Sequence, residues 1–221
     1  MELPVIIVNF KVYESAVGER AVELAKIHEK VAKETGASIA IAVNALDLAA
    51  VIAAVDIPVF AQHIDDVGFG SNTGHVLPTL VKKMGAFGTI LNHAERQIPK
   101  DQIRDHVKAA KDAGLFTIVC ANDPECAREI FQYYPDLIAV EPPELIGGDI
   151  SVSKAGPEII EEAVKICGKG KTLVGAGIRD PEDVTIALKL GSVGVLLASG
   201  VTKADDPESV LRGLVGGLSQ T

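Results

Sequence analysis

The chain has 221 residues, 48% hydrophobic and 23% charged, with a formal net charge of −9. This is ample apolar material for a large core, and the acidic balance argues against nucleic acid or an anionic membrane as partner, because both reward basic patches. Aromatic residues make up only 4% and Trp is absent, so Val, Ile, Leu and Ala must build the core, a composition suited to parallel strands covered by helices on both faces.

The opening Met1-Glu2-Leu3-Pro4 has no basic region and no long apolar stretch, so no signal peptide is expected. No apolar run reaches the roughly 18 residues of a membrane span, and a cytoplasmic location is the expectation. Short apolar runs predict eight strands, at Val5–Val8, Ile39–Val43, Val59–Ala61, Thr89–Leu91, Phe116–Cys120, Leu137–Val140, Thr172–Val174 and Val193–Leu197. Helix-spaced apolar residues lie between them, among them Leu24, Ile27 and Val31, then Ile103, Val107 and Ala110, then Ile160, Ala163 or Val164, and Cys167. The strands recur about every 27 residues, the length of one strand–helix unit with its loops.

Helix starts repeat one wording. Asp123-Pro124-Glu125, Asp180-Pro181-Glu182 and Asp206-Pro207-Glu208 each offer an Asp N-cap, a Pro at the first helical position and an acid in the first turn. Gly36, Gly85, Gly114 and Gly191 stand where helices should end in a left-handed residue. No linker or low-complexity tract interrupts the series. Eight such units predict one α/β domain over residues 1–221, a (β/α)8 barrel. A doubly wound open sheet is the alternative, because the third and seventh strands are short.

A barrel builds its site from the carboxyl ends of the strands. Those positions hold Asn9 and Lys11, then Gln62 and His63, Asn92 and His93, and Glu141. Gly175-Ala176-Gly177-Ile178 follows the seventh strand and Ala198-Ser199-Gly200 the eighth. Small residues there let backbone N–H groups approach a phosphate, the usual anion position of this fold. After Glu141 comes Pro142-Pro143-Glu144-Leu145-Ile146-Gly147-Gly148, which reads as a hinged lid. Cys120, Cys126 and Cys167 are odd in number with no CxxC, and are expected to be idle or buried thiols. Pairing or metal binding by Cys120 and Cys126 stays open, although no His is close enough in sequence to complete a zinc site. His28 and His106 fall inside amphipathic helices and His63 and His75 in loops; all four read as structural.

Over nearly its whole length the chain resembles the triosephosphate isomerase family, in its short archaeal-type form. The matching strings are Asn9-Phe10-Lys11, Ala61-Gln62-His63, Thr73-Gly74-His75, Leu91-Asn92-His93-Ala94-Glu95, Val140-Glu141-Pro142-Pro143-Glu144-Leu145-Ile146-Gly147, Gly175-Ala176-Gly177-Ile178 and Gly194-Val195-Leu196-Leu197-Ala198-Ser199-Gly200. The resemblance implies an intramolecular aldose–ketose isomerase of glycolysis and gluconeogenesis, interconverting dihydroxyacetone phosphate and D-glyceraldehyde 3-phosphate through an enediol or enediolate. It implies the roles as well: Glu141 as base, His93 as neutral electrophile, Lys11 as fixed cation, Asn9 as donor, and Glu95 as the partner of Lys11. Main-chain groups of Ile146 and Gly147 would close on the phosphate, with Gly177, Ala198 and Ser199 completing the cup. A short helical turn from Ala94 to Gln97 is expected to lower the pKa of His93. No cofactor and no metal is expected. Ser71 to His75 resembles a loop received by a neighbouring subunit, so a homo-oligomer is implied, a tetramer with a dimer as fallback.

Two strings depart from the family pattern. Ala94 stands where the family usually has Ser, and Ile146-Gly147-Gly148-Asp149 where it usually has Ile-Gly-Thr-Gly. Both bear on turnover rate more than on reaction type. One rival function is another phosphate-binding barrel enzyme, such as an epimerase or a tryptophan-pathway synthase; a metal-dependent epimerase would need His and Asp ligands at several strand ends, and the sequence offers too few. A catalytically silent scaffold is opposed by the joint presence of Asn9, Lys11, His93 and Glu141.

Overall fold

A computed structural model describes residues 1–142 and 152–218, with the side chains of Val152 and Ser153 excepted. All eight expected strands are present within a residue of their expected ends: β1 Val5–Asn9, β2 Ser38–Val43, β3 Val59–Ala61, β4 Gly88–Leu91, β5 Phe116–Ala121, β6 Leu137–Val140, β7 Thr172–Val174 and β8 Gly194–Leu197. They pair in sequence order into a closed barrel. Closure is made by parallel pairing of β8 with β1, from Val5 opposite Gly194 to Val8 opposite Leu197. That pairing rules out the open sheet, whose terminal strands would be edges.

Strand side chains alternate between two cores. Val5 and Ile7 of β1, with Ala40, Phe60, Ile118 and Ala139 of other strands, fill the barrel interior. Ile6, Val8, Ile39, Ile41 and Val119 face outward into the layer between strands and helices. Burial on both faces is why the strands read as unbroken apolar runs rather than as alternating ones. The inward parity has a functional consequence. Counting on by twos from Ile7 and Ala139 reaches Asn9 and Glu141, and from Leu173 it reaches Gly175, so all three turn into the barrel mouth.

The helices are α1 Glu19–Thr35, α2 Leu48–Ala54, α3 Pro78–Lys83, α4 Lys100–Asp112, α5 Pro124–Phe131, α6 Val152–Ala155, α7 Pro157–Cys167, α8 Pro181–Lys189, α9 Ser199–Thr202 and α10 Pro207–Leu218. Each Asp-Pro-Glu start works as a cap. Asp123 accepts from the Cys126 N–H, Asp206 accepts from the Ser209 N–H, and Asp180 forms a reciprocal capping box with Asp183. Gly36, Gly85, Gly114 and Gly191 all have positive φ at helix exits. Among the described residues no helix is long and apolar enough to cross a membrane.

One core position differs from the helical pattern. In α1 the buried residues are Ala21, Leu24, Ala25, His28 and Val31, whereas Ile27 is only half-buried. His28 lies against the ring of Phe10, at 5.3 Å between centroids, and its Nδ1 bonds the Leu24 carbonyl at 2.7 Å. Full burial pulls its pKa down to about 4, so the ring is a neutral aromatic filler in the helix–barrel layer. Short-range periodicity counted the more apolar side chain, while the angle of α1 on the barrel selected the other.

Candidate active site

At the carboxyl end of the barrel, Asn9, Lys11, His93, Glu141, Gly177, Ala198 and Ser199 line one cleft. Of the residues expected at the site, only Ile146 and Gly147 fall outside the described part of the chain, as do Gly148 and Asp149.

Glu141 continues the inward face of β6, its N–H bonded to the Ala121 carbonyl at 2.8 Å. The residue is only 2% exposed and its Oε2 has no hydrogen-bond partner. Burial pushes the carboxyl pKa up to about 8, against a lowering by the Cys120 thiol and the Lys11 charge. A carboxylate kept this dry, with one oxygen left without a partner, is strongly basic. Gly175 makes the space: a Cβ there would stand 2.2 Å from Cγ of Glu141.

His93 faces the acid, its Nε2 3.7 Å from Oε2 of Glu141. The Glu95 N–H donates to Nδ1 at 3.1 Å. Nδ1 must therefore carry the lone pair, and the neutral ring bears its proton on Nε2, toward the cleft. The pKa is lowered, first by burial and then by the Lys11 charge, with Glu95 acting in opposition. The expected helix at 94–97 is absent. The segment is a turn closed by the Arg96 N–H on the His93 carbonyl at 2.8 Å. The ring is thus kept neutral by desolvation and a nearby cation instead of by a helix end. Asn92 aims the turn. It has φ of 56°, and its side chain bonds the Cys120 carbonyl and the Ile98 N–H, both at 2.9 Å.

Lys11 also has a positive φ, 50°, rare for a residue with a Cβ and a sign of a position held by its surroundings. Its N–H donates to Oδ1 of Asn9 at 3.0 Å, and its Nζ pairs with Glu95 at 2.7 Å, the ion pair anticipated by analogy. Gln62 completes the brace: Nε2 donates to Oδ1 of Asn9 at 3.1 Å and to the Lys11 carbonyl at 2.9 Å. With its oxygen committed to these bonds, Asn9 keeps its NH2 group as a donor. Sequence reading placed Gln62 at a strand end without a role, and it expected Cys120 to be an idle or buried thiol; the thiol is buried and free, but it lies against Glu141. The inward parity of β5, whose Cys120 is in register with Ala139, was the available signal for the thiol beneath Glu141. All three cysteines are free.

Opposite this cluster, Gly177 and the start of α9 at Ala198 and Ser199 form a wall of small residues and main-chain groups, suited to an anion. Elsewhere the fold brings together groups far apart in sequence: among the described residues the ligand atoms of His63, Asp65 and His106 lie within 4.8 Å of one another.

A closed eight-stranded α/β barrel, with a buried carboxylate and an imidazole facing each other in a cleft at the carboxyl ends of its strands, defines a class, the (β/α)8 barrel proteins with a strand-end site. A family model described as triosephosphate isomerase matches residues 4–214. Proteins named triosephosphate isomerase are similar throughout. That of Methanocaldococcus jannaschii is 47% identical over 95% of this chain and 98% of its own. That of Metallosphaera sedula is 47% identical over 98% and 96%, and that of Methanosarcina barkeri 45% over 97% and 99%. The chain belongs to the triosephosphate isomerase family.

Proposed function

We propose that this chain interconverts dihydroxyacetone phosphate and D-glyceraldehyde 3-phosphate by proton transfer, as an aldose–ketose isomerase. Family membership supports the reaction, and the buried carboxylate of Glu141, its partnerless Oε2 3.7 Å from Nε2 of His93, is the observation that carries the mechanism. Glu141 takes a proton from the carbon beside the carbonyl. As negative charge builds on the carbonyl oxygen, His93 donates a hydrogen bond to it and Lys11 adds a fixed positive charge, so the enediolate is stabilised where it forms. Glu141 then returns the proton to the neighbouring carbon. Asn9 donates at the same end, and Glu95 holds Lys11 in place. The phosphate sits against main-chain groups of Gly177, Ala198 and Ser199, with Ile146 and Gly147 closing from the lid. Proton transfer of this kind asks for no cofactor.

The whole chain acts as one domain, in the cytoplasm, and as a homo-oligomer. Support for the last comes from residues 68–75, almost all exposed, with the Phe69 side chain largely in solvent. Their root is fastened by Asp65, whose N–H and Oδ2 bond the carbonyl and N–H of Val76 at 2.9 and 2.6 Å. A projecting loop on a fixed root suits insertion into a neighbour, and the family resemblance points to four copies.

A coupled assay with dihydroxyacetone phosphate tests the reading. The expected outcome is turnover that survives dialysis against a strong chelator. Glu141→Gln, which keeps volume and removes the base, should cost 10²–10⁴-fold in kcat. Wild-type turnover in that variant removes Glu141 from the mechanism.

A further inference from the structure

His63 follows β3, Asp65 stands two residues on at the root of the 66–75 loop, and His106 lies in the middle of α4. We propose that these three side chains bind a divalent transition-metal ion, zinc fitting best, and that the ion is structural, tying the root of the projecting loop to α4.

The geometry is close to what such an ion needs. Zinc with ligands at about 2.0–2.1 Å in a tetrahedron places those ligand atoms about 3.3 Å apart. Nε2 of His63 and Oδ1 of Asp65 are already 3.2 Å apart, and all three ligand atoms lie within 4.8 Å. The remaining pairs have to draw in by at most about 1.5 Å to reach that spacing. The three side chains are the protein ligands, with water in the fourth position; Asp66, whose Oδ1 is 3.8 Å from Nε2 of His106, adds a second negative charge nearby.

Outer contacts also orient the ligands. Nδ1–H of His106 donates to the Gln102 carbonyl at 2.9 Å, which leaves the Nε2 lone pair to face the cluster. Oδ2 of Asp65 takes the Val76 N–H, which turns Oδ1 to the cluster, where it accepts from Nε2–H of His63 and the ion would take the place of that proton. A second partner fixing the tautomer or the carboxylate is characteristic of built metal sites. The opposing feature is Arg96, with a guanidinium nitrogen 3.7 Å from Oδ1 of Asp65. That side chain is 63% exposed, so it can swing into solvent, and it marks a place already arranged for a cation. The proposal is independent of the isomerase reading: none of the ligands is assigned a step in the reaction, so removing the ion should leave turnover at assay temperature unchanged.

The test uses the full chain, stripped with a chelator and titrated with zinc chloride by calorimetry, with cobalt(II) as a spectroscopic probe. One ion per chain is expected, with a visible absorption band of tetrahedral cobalt. At a hundredfold excess over the dissociation constant, Tm should rise by about 5 °C or more. His106→Gln should weaken binding at least tenfold, and Arg96→Ala should tighten it by removing the competing cation. Cys126→Ser controls for binding by the half-buried thiol and should change nothing. Arg96 is on the surface, so its variant keeps the test open if His106→Gln fails to fold. Sub-stoichiometric binding, binding that His106→Gln leaves intact, binding lost in Cys126→Ser, or weaker binding in Arg96→Ala would each overturn the assignment.

Discussion

Glu141 shows how much of this chemistry rests on withholding partners. Water and hydrogen bonds would stabilise the carboxylate and weaken the base. The barrel mouth instead supplies a thiol from Cys120 and a cation beyond bonding range, and burial dominates. The sign of the pH dependence follows. The base works only when ionised, so kcat/KM should fall as pH drops below the raised pKa of about 8, approaching tenfold per unit well below it. A pH profile of kcat/KM checks this, and an acid limb at the usual carboxylate pKa near 4.3 would contradict the burial account. Gly175 supports the same carboxylate sterically. With Cβ 2.2 Å from Cγ of Glu141, Gly175→Ala must displace the acid by about an ångström. Misplacement on that scale costs about 10²-fold in rate. Steady-state kinetics on a folded Gly175→Ala variant should show the loss in kcat, and an unchanged kcat would mean the acid is free to move.

At the scale of elements, the repeated Asp-Pro-Glu starts mark helices whose first turns face the same end of the chain's repeating unit, and α8 is the best capped of them. Asp180 accepts the Asp183 N–H at 2.8 Å, while Oδ2 of Asp183 takes the N–H groups of Asp180 and Arg179. The same contacts that satisfy the helix end therefore also fix the backbone of Arg179, which lines the cleft. Asp180→Ala should cost about 1 kcal/mol of stability. In a chain of this size that is a drop of about 2–4 °C in Tm. Thermal unfolding followed by circular dichroism measures it, with kcat at 25 °C expected to stay at the wild-type value. No change in Tm would mean that the Lys154 ion pairs to Glu182 and Asp183 hold this helix start without the cap.

For the molecule as a whole, the projecting 68–75 loop is the feature a lone chain leaves unused. Light scattering should report about four chain masses of 23.2 kDa, with two as the minimum the loop demands. If the proposed assembly supports the site, activity should fall on dilution below the dissociation point. A fully active monomer contradicts both statements.

Much of this was legible in the residues themselves. Strand positions, Asp caps and exit glycines are local, dictated by burial on two faces and by the few conformations that end a helix. The strings around Asn9, His93 and Glu141 were legible too, because strand-end residues carry the chemistry in this fold. What long-range contact alone decided was different in kind. Closure of β8 on β1, the choice of His28 over Ile27 for the core, Gln62 as the brace of Asn9 and Lys11, and burial instead of a helix end as the cause of a neutral His93 all depend on groups far apart in sequence. The meeting of His63 with His106 does as well. The chain determined which groups could serve; packing determined which of them touch, and how dry they are when they do.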